Sequence, residues 1–453
     1  MMKKILIAII AALFLWSCNG ETDSYVVETP LNTPDWAKNA TIYEVNTRQF
    51  TEEGTFEAFM EHMPRLADMG VSILWFMPIH PIGEVERKGT LGSYYSVLDY
   101  KGVNPEFGTH DDFRAVVEKA HGLGMYVILD WVANHTAWDH PWTETNPEFY
   151  ELDENGNFIP PRGTDWSDVI QLDYENPDVW EAMTDALEYW VREFNIDGYR
   201  ADVADLVPTE FWNQAREKLD AIKPVFMLAE AEYPPLNEKA FEMSYAWDLH
   251  HQMNALAQGR ISIAEFDERF DRMRDRFPAH TYMMQFTSNH DENSWNGTVF
   301  ERLGDGVMAF AVLASTIEGM PLVYNGQEVG LSHRLEFFEK DEIIWDFDSP
   351  FMDLYSKLLN LNRDNRALWN GLHGGPMQRI SSDQDDTLYM FVRERGDDKV
   401  FVIVNVTDQS VVANVRNSLI AGSYTELFSG IGMNLSDNEV FEIEPWGYRV
   451  FVR

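Results

Sequence analysis

The chain has a single cysteine, Cys18, among its 453 residues, so no disulfide can form within it. Positive charge is also scarce, because 35 lysines and arginines face 75 aspartates and glutamates, which gives a formal net charge of -40. A surface this acidic repels phosphate backbones and anionic lipid, which argues against a nucleic-acid-binding protein. It does not disfavour a neutral sugar polymer as a partner.

Long apolar runs are also lacking. The run from Ile5 to Leu15 follows Lys3 and Lys4 and is shorter than the about 20 residues that a membrane-spanning helix needs. This pattern predicts an export signal. The tetrapeptide that ends at Cys18, Leu-Trp-Ser-Cys, resembles a bacterial lipobox, in which the cysteine becomes acylated.

We therefore expect a lipoprotein-type signal and anchor over residues 1–18 and a flexible linker over 19–34. The expected location is outside the cytoplasm, as an outer-membrane or cell-surface lipoprotein or in the periplasm. The alternative is a soluble secreted protein in which Cys18 is incidental.

From residue 35 onward, short apolar runs alternate with segments of helical period. In one such segment Phe113, Val116, Val117 and Ala120 follow the spacing i, i+3, i+4, i+7, which predicts a helix with one face in the core. The short runs lack polar–apolar alternation, which is typical of parallel strands buried on both faces. Eight of them favour a closed (β/α)8 barrel over an open sheet. The runs are Thr41–Val45, Val71–Met77, Met125–Val132, Gly198–Val203, Val225–Glu230, Met243–Trp247, Tyr282–Phe286 and Pro321–Tyr324.

Two segments depart from this alternation and predict additions to a barrel over residues 35–370. Residues 136–176 follow the third strand and far exceed ordinary loop length, so we expect an inserted subdomain over the barrel mouth. Past about residue 371 strand-like alternation replaces the helical period, with a turn at 396–398. A C-terminal antiparallel β-sandwich domain over residues 371–453 is therefore expected.

Four motifs end apolar runs with acidic, histidine or arginine side chains. Because the carboxyl ends of all strands in a parallel barrel lie at one face, these side chains are expected to meet there. The motifs are Asp130-Trp-Val-Ala-Asn-His135, Gly198-Tyr-Arg-Ala-Asp202, Met227-Leu-Ala-Glu230 and Phe286-Thr-Ser-Asn-His-Asp291.

The motifs, their order, the insertion and the β-rich tail resemble the α-amylase family, glycoside hydrolase family 13. Supporting stretches lie at Thr41–Glu44, Gly92–Tyr100, Asn104–Thr109 and Pro321–Glu328. The resemblance extends from about residue 36 to the C-terminus. It implies a barrel enzyme that acts on α-glucans.

Cleavage of a glycosidic bond needs a carboxylate on one side of the sugar and a proton donor at the leaving oxygen. Arg200 and Asp202 share one face of a strand, and the guanidinium is expected to keep Asp202 ionised as the nucleophile. Glu230 is the expected acid, with a pKa raised by apolar surroundings. Glu232 has the same strand parity, and pattern alone does not separate the two glutamates. We choose Glu230 because the glutamate of the family directly follows the small residue that closes the strand.

The resemblance implies further residues around the substrate. Asp291 is expected to be the third carboxylate, which grips sugar hydroxyls and favours a distorted ring. Arg200, His135 and His290 are expected to bind at the cleavage subsite, and Tyr95 to stack beneath the sugar, because an aromatic face suits a pyranose. Taken singly, an Arg–Asp pair or a histidine is more often only structural.

Metal binding is left open by the sequence. Many relatives hold a structural calcium through the asparagine that matches Asn134, an aspartate in the insertion and a backbone carbonyl after the nucleophile. Here Gln171 stands where that aspartate is common, and Val-Ala-Asp-Leu follows Asp202 in place of the Lys-His of many amylases. Calcium therefore remains an expectation without assigned ligands, and no organic cofactor is expected.

Together these features predict a retaining hydrolase of α-1,4 bonds in starch or maltodextrin. Three alternatives stay open: a transglycosylase of the same family, an α-1,6-acting glucosidase, and a non-catalytic surface glycan-binding lipoprotein. Val203 directly follows Asp202, and a valine at this position resembles the sequence of relatives that cleave α-1,6 links. Endo against exo attack is also left open by the sequence.

Overall fold

The structure is a computed structural model that describes residues 31–453. The expected signal segment with Cys18 lies outside the described residues, as does most of the expected linker. Between residues 31 and 453, none of the helices combines the length and apolar character needed to cross a membrane.

Eight parallel strands close into a barrel in which each strand pairs with its neighbours in sequence order. The predicted (β/α)8 fold is thereby confirmed, and each of the eight apolar runs contains barrel-strand residues. The strands β1 to β8 span Ile42–Val45, Ile73–Phe76, Tyr126–Trp131, Gly198–Ala201, Phe226–Ala229, Met243–Tyr245, Tyr282–Gln285 and Met320–Tyr324.

The barrel strands are buried on both faces. On β2, Ile73 and Trp75 pack inside the barrel, whereas Leu74 and Phe76 pack in the layer between the barrel and its helices. Successive side chains point to opposite sides because a strand has a period of two residues. Two apolar environments explain why these runs show no polar–apolar alternation in the sequence.

Helices surround the barrel and cover the outer layer of apolar side chains. The predicted stripe of Phe113, Val116, Val117 and Ala120 is buried on one of them, which begins after a capping box formed by Thr109 and Asp112. The α-helices span Thr47–Phe50, Phe56–Met69, His110–Gly122, Trp142–Thr145, Pro177–Phe194, Thr209–Asp220, Trp247–Ala257, Ile263–Arg276, Val299–Leu303, Val307–Thr316 and Pro350–Asp364.

The segment between β3 and the helix Pro177–Phe194 forms the insertion expected from its length. Two short antiparallel strands, His135–Ala137 and Val169–Gln171, join its two ends just beyond β3. The insertion therefore lies at the carboxyl end of the barrel, where the four motifs also end.

An antiparallel β domain follows the barrel, as predicted. A sheet of six strands and a sheet of two contribute to one apolar core. The last two strands of this domain are separated by a turn at Trp446, whose φ is 53°. The strands span Gln378–Arg379, Leu388–Arg395, Asp398–Asn405, Val411–Arg416, Gly422–Glu426, Gly432–Leu435, Asn438–Ile443 and Tyr448–Val452.

Candidate active site

Asp202 and Glu230 come together because they directly follow the adjacent strands β4 and β5. The backbone N–H of Asp202 donates to Trp131 O at 2.9 Å, and that of Glu230 donates to Ala201 O at 3.0 Å. Both residues thus continue the barrel ladder, which holds their side chains at its carboxyl end. Asp291 reaches the same end from the loop after β7, and it lines a cavity of about 430 Å³ together with Asp202.

The approach of β4 to β5 depends on Gly198, the first residue of the second motif. Its φ is 154°, and a Cβ there would lie 1.8 Å from Phe226 O on β5. Only glycine fits this position. The glycine of the motif therefore permits the strand contact that places Asp202 beside Glu230.

Arg200 is the central cation of the site, and its side chain is fully buried. Its Nη1 donates to Asp130 Oδ1 at 2.8 Å and to Asp202 Oδ1 at 2.9 Å. Its Nη2 lies 2.8 Å from Glu230 Oε2, and its Nε donates to Tyr245 Oη at 3.2 Å. One guanidinium thus neutralises part of the charge of three carboxylates and limits how far the carboxylates of Asp202 and Glu230 can separate.

Glu230 occupies surroundings that suit a proton donor. Burial, together with the charges of Asp202 and Asp291, raises the pKa of its carboxyl to about 8, although Arg200 opposes the shift. The Val203 N–H donates to Glu230 Oε2 at 2.9 Å. Val203 has a φ of 37°, a left-handed conformation that is rare for a β-branched residue and that directs this N–H toward the carboxyl.

Glu232, the other candidate acid, lies away from this cluster. Its Oε1 accepts a hydrogen bond from the Asp248 N–H at 3.2 Å, and the residue does not line the cavity. The structure therefore places Glu230, and not Glu232, beside Asp202 and Arg200.

His290 is held by a chain of hydrogen bonds that begins at Glu44 on β1. Its Nδ1 lies 2.5 Å from Glu44 Oε1, and its Nε2 lies 2.7 Å from Tyr95 Oη. Tyr95 Oη donates in turn to Asp130 Oδ2 at 3.0 Å. Since the tyrosine hydroxyl donates to Asp130, the imidazole can donate from both of its nitrogens.

The same groups favour the charged form of His290. Burial lowers the pKa of the imidazole, but the carboxylates of Asp291 and Glu44 outweigh burial and raise it to about 9. A cationic His290 lies next to Asp291 and Tyr95, and its Nε2–H can donate to a sugar hydroxyl in the cavity when that hydroxyl takes the place of Tyr95 Oη.

Glu44 lies in the stretch Thr41–Glu44, but no role for it was predicted from the sequence. The sequence signal for such a role is a carboxylate inside an otherwise apolar strand. A buried charge requires a partner, so this pattern indicates a second polar group near Glu44. His290, the partner, is 246 residues away in the sequence.

His135 starts the first strand of the insertion, and its buried side chain lines the cavity. Burial lowers the pKa of its imidazole, which favours the neutral form. The ring lies 5.5 Å from that of Trp166, which also lines the cavity. Five of the seven predicted site residues thus line the cavity, and Arg200 and Glu230 contact the lining residues Asp202 and Val203.

The amide of Gln171 occupies the region where calcium was considered. Its Nε2 donates to Asn134 O at 3.0 Å, to Asn134 Oδ1 at 3.1 Å and to Leu172 O at 3.0 Å. Calcium needs oxygen ligands, and here a nitrogen already satisfies the oxygens that converge. These residues do not fit a calcium ion, and among residues 31–453 no group of three or more His, Cys, Asp or Glu side chains is placed to hold a metal ion.

An aromatic wall that the sequence analysis missed forms one side of the cavity. It consists of Trp295, Phe337 and Phe338, with the Trp295 and Phe337 ring centroids 5.1 Å apart. The Phe337 ring is nearly parallel to that of Tyr95, at an interplanar angle of 13°. The only sequence signal was the position of Trp295, four residues after Asp291.

Comparison with protein families agrees with this geometry. The α-amylase catalytic domain matches residues 22–167 and 162–370, and the α-amylase C-terminal all-β domain matches residues 380–447. Among curated proteins, an α-amylase of Haloarcula japonica is 25% identical over 402 residues. That alignment covers 86% of this chain but only 56% of the relative, so the chain spans little more than half of that protein.

Two solved structures are similar over their whole length. A maltogenic α-amylase from Thermotoga neapolitana is 29% identical with a TM-score of 0.83, and an α-amylase from Lactobacillus plantarum is 30% identical with a TM-score of 0.82. Each match covers 92% of this chain and 99% of the other. With a family domain matched over most of the chain, a closed barrel and a β-rich tail, the chain belongs to the α-amylase family of glycoside hydrolases.

Proposed function

We propose that the protein is a retaining α-glucan hydrolase that cleaves α-1,4 bonds of starch or maltodextrins by double displacement. The observation that carries the proposal is the contact of Asp202 and Glu230 with the two terminal nitrogens of Arg200. Bridging by one guanidinium is compatible with the about 5–5.5 Å between carboxyl groups that a retaining mechanism requires.

In the first step, Asp202 attacks the anomeric carbon of the glucose ring held against Tyr95, and the bond to the leaving oxygen breaks. Glu230 gives its proton to that oxygen, which its raised pKa allows near neutral pH. Asp291 and His290 bind hydroxyls of the same ring and stabilise it in a distorted form. The product of this step is a glucosyl ester of Asp202.

In the second step, a water molecule replaces the departed sugar and Glu230 removes its proton. Esterification helps this change of role, because the negative charge of Asp202 is one cause of the raised pKa of Glu230. Once that charge is lost in the ester, the pKa of Glu230 falls and the carboxylate becomes a base. Attack by water then releases the sugar with its original anomeric configuration.

The names of similar proteins support an α-glucan as substrate. The Thermotoga neapolitana protein is described as a maltogenic α-amylase, and other curated relatives are a maltogenic α-amylase, a cyclomaltodextrinase and maltosyltransferases. These activities share an α-glucosyl donor and differ in the acceptor and in product length. Hydrolysis of α-1,4 bonds is accordingly the activity to test first.

The test is the set of products that the protein forms from maltoheptaose, pullulan and isomaltose. We expect shorter maltooligosaccharides from maltoheptaose, released as α-anomers in the first minutes by proton NMR, and no cleavage of isomaltose. Asp202→Asn is the control, because it keeps the shape of the nucleophile and removes its charge.

Each other product pattern would contradict one part of the proposal. Oligosaccharides longer than the substrate would identify a transglycosylase, and glucose from isomaltose would identify an α-1,6-acting enzyme. Initial β-anomers would reject retention. Binding of maltoheptaose without any product would favour the non-catalytic glycan-binding alternative.

We also propose export and lipid anchoring through Cys18, on the grounds of the two lysines, the apolar run and the lipobox-like tetrapeptide. Expressed in a bacterial host, the protein should sediment with membranes, and Cys18→Ala should move it to the soluble fraction. Ser17→Ala, which keeps the cysteine, is the matched control. An unchanged membrane fraction for Cys18→Ala would count against the anchor.

A further inference from the structure

Residues 84–92, which we call the strap, belong to the segment after β2 and contact the insertion. Lys88 Nζ lies 3.0 Å from Asp168 Oδ1 and donates to Asp165 O at 3.2 Å. The Asp168 side chain is only 7% exposed, whereas that of Lys88 is 32% exposed, so only the carboxylate of this ion pair is shielded from water. Lys88, Asp165 and Asp168 all line the cavity, and the ion pair therefore forms part of its wall.

The strap also contacts the segment after β8, which carries the aromatic residues on the opposite side. Leu91 N–H donates to Phe338 O at 3.1 Å, and Thr90 N–H donates to Glu339 Oε1 at 2.8 Å. Gly89 packs so closely there that a Cβ would lie 2.5 Å from Phe338 Cβ. The strap thus joins both walls of the cavity.

The position of the acid shows which part of a substrate would meet the strap. Glu230 protonates the leaving oxygen, so the aglycone lies on its side of Asp202. The cavity is lined by Asp202, Asp291 and Tyr95 and, beside Glu230, by Val203, whose N–H donates to the Glu230 carboxyl. No hydrogen bond or ion pair joins Glu230 to Lys88 or to the aromatic wall, so the side of the cavity that they line would receive the glycone, the part of the chain that ends in the non-reducing sugar.

We infer that the strap closes the glycone end of the site, so that the enzyme takes short glycones at free non-reducing ends and does not cut within chains. Lys88 is the specificity-determining residue, because its ion pair with Asp168 connects the strap to the insertion. The inference rests on the proposed hydrolase function and adds chain-end selectivity to it.

The experiment compares a 4-nitrophenyl maltoheptaoside with the same compound blocked by an ethylidene acetal on its non-reducing terminal glucose. We expect the free compound to be cleaved at least about tenfold faster than the blocked one by the wild-type protein, because a closed glycone end rejects the added group. In Lys88→Ala the ratio of the two rates should fall toward one.

Lys101→Ala is the matched control, since Lys101 lies in the same segment after β2 and forms an exposed ion pair with Asp185. It should keep the wild-type ratio. Asp168→Asn breaks the same ion pair from the other wall and should lower the ratio as Lys88→Ala does. It provides the measurement if Lys88→Ala folds poorly. Failure to cleave the free compound would reject the proposed function itself. Equal wild-type rates on both compounds, or a ratio that survives both substitutions, would reject the role of the strap.

Discussion

Glu230→Gln is expected to lower kcat on maltooligosaccharides by about 10²–10⁴-fold, the contribution of a positioned general acid and base. Glutamine keeps the size of the side chain and its contact with the Val203 N–H but has no proton to give to the leaving oxygen. Asp202→Asn is expected to cost about 10⁴-fold or more, because removal of the nucleophile blocks the covalent step itself. Binding of maltoheptaose to both variants should be nearly unchanged.

An activated substrate separates the two roles. Fluoride leaves without protonation, so Glu230→Gln should still react with α-maltosyl fluoride and accumulate the ester on Asp202, visible by mass spectrometry of the peptide that contains residue 202. Azide attacks without the help of a base, so added azide should release the maltosyl group from Asp202 as a glycosyl azide. Asp202→Asn should form no ester.

The matched control is Glu232→Gln, since Glu232 is the neighbouring glutamate that pattern alone did not exclude. It should retain kcat near the wild-type value because its carboxylate contacts the Asp248 N–H and not the cavity. A larger loss in Glu232→Gln than in Glu230→Gln would show that the acid has been misassigned.

The pH profile belongs to the same prediction. Burial raises the pKa of Glu230 to about 8, and the acid must hold its proton for the bond to break. Activity on maltoheptaose should therefore be retained below pH 8 and lost as pH rises through about 8. With α-maltosyl fluoride, the rate at which the ester forms should not fall as pH rises through about 8, because fluoride leaves without a proton from Glu230. An alkaline limb shared by both substrates would point to another group, such as His290.

Arg200→Met is expected to destabilise the folded protein by about 3–5 kcal/mol, the cost of leaving a buried charge without its partner. The substitution removes the cation between Asp130, Asp202 and Glu230, while methionine fills much of the same volume. Urea unfolding followed by tryptophan fluorescence measures the change. The deficit should shrink as pH is lowered, because carboxyl groups without a counter-charge have raised pKa values in the folded state and are tolerated once protonated.

Arg216→Met is the control for a buried arginine outside the site. Its guanidinium contacts Glu242 at 2.7 Å and Asp220 at 2.9 Å, and none of these three residues lines the cavity. Arg216→Met should lower the free energy of unfolding by a similar amount but leave kcat per folded molecule unchanged. Arg200→Met should lower both the free energy of unfolding and kcat. Wild-type stability in Arg200→Met would contradict the central role given to this cation.

The barrel was predictable from the sequence because its signals are local. A strand buried on both faces is apolar at most positions, as on β2 from Ile73 to Phe76, because each buried charge needs a partner. The end of such a strand is also local, so Asp202 and Glu230 could be placed at the barrel mouth once eight strands were counted. The helix His110–Gly122 followed in the same way from its apolar stripe.

The choice of acid and the shape of the cavity could not be read in this way. Glu230 and Glu232 have the same parity, and only the fold turns one toward Arg200 and the other toward Asp248. Glu44 meets His290 across 246 residues, and Lys88 meets Asp168 across the barrel mouth. None of these contacts leaves a periodic pattern in the chain.

By itself, the sequence determined the strand order, the barrel and the set of carboxylates at its mouth, because these depend on burial and on the period of each element. The tertiary structure alone decided how Arg200 joins Asp202 to Glu230, how the Gln171 amide bonds the oxygens of Asn134, and how the strap contacts the insertion. Those properties arise from distances between side chains far apart in the chain, and barrel closure sets these distances.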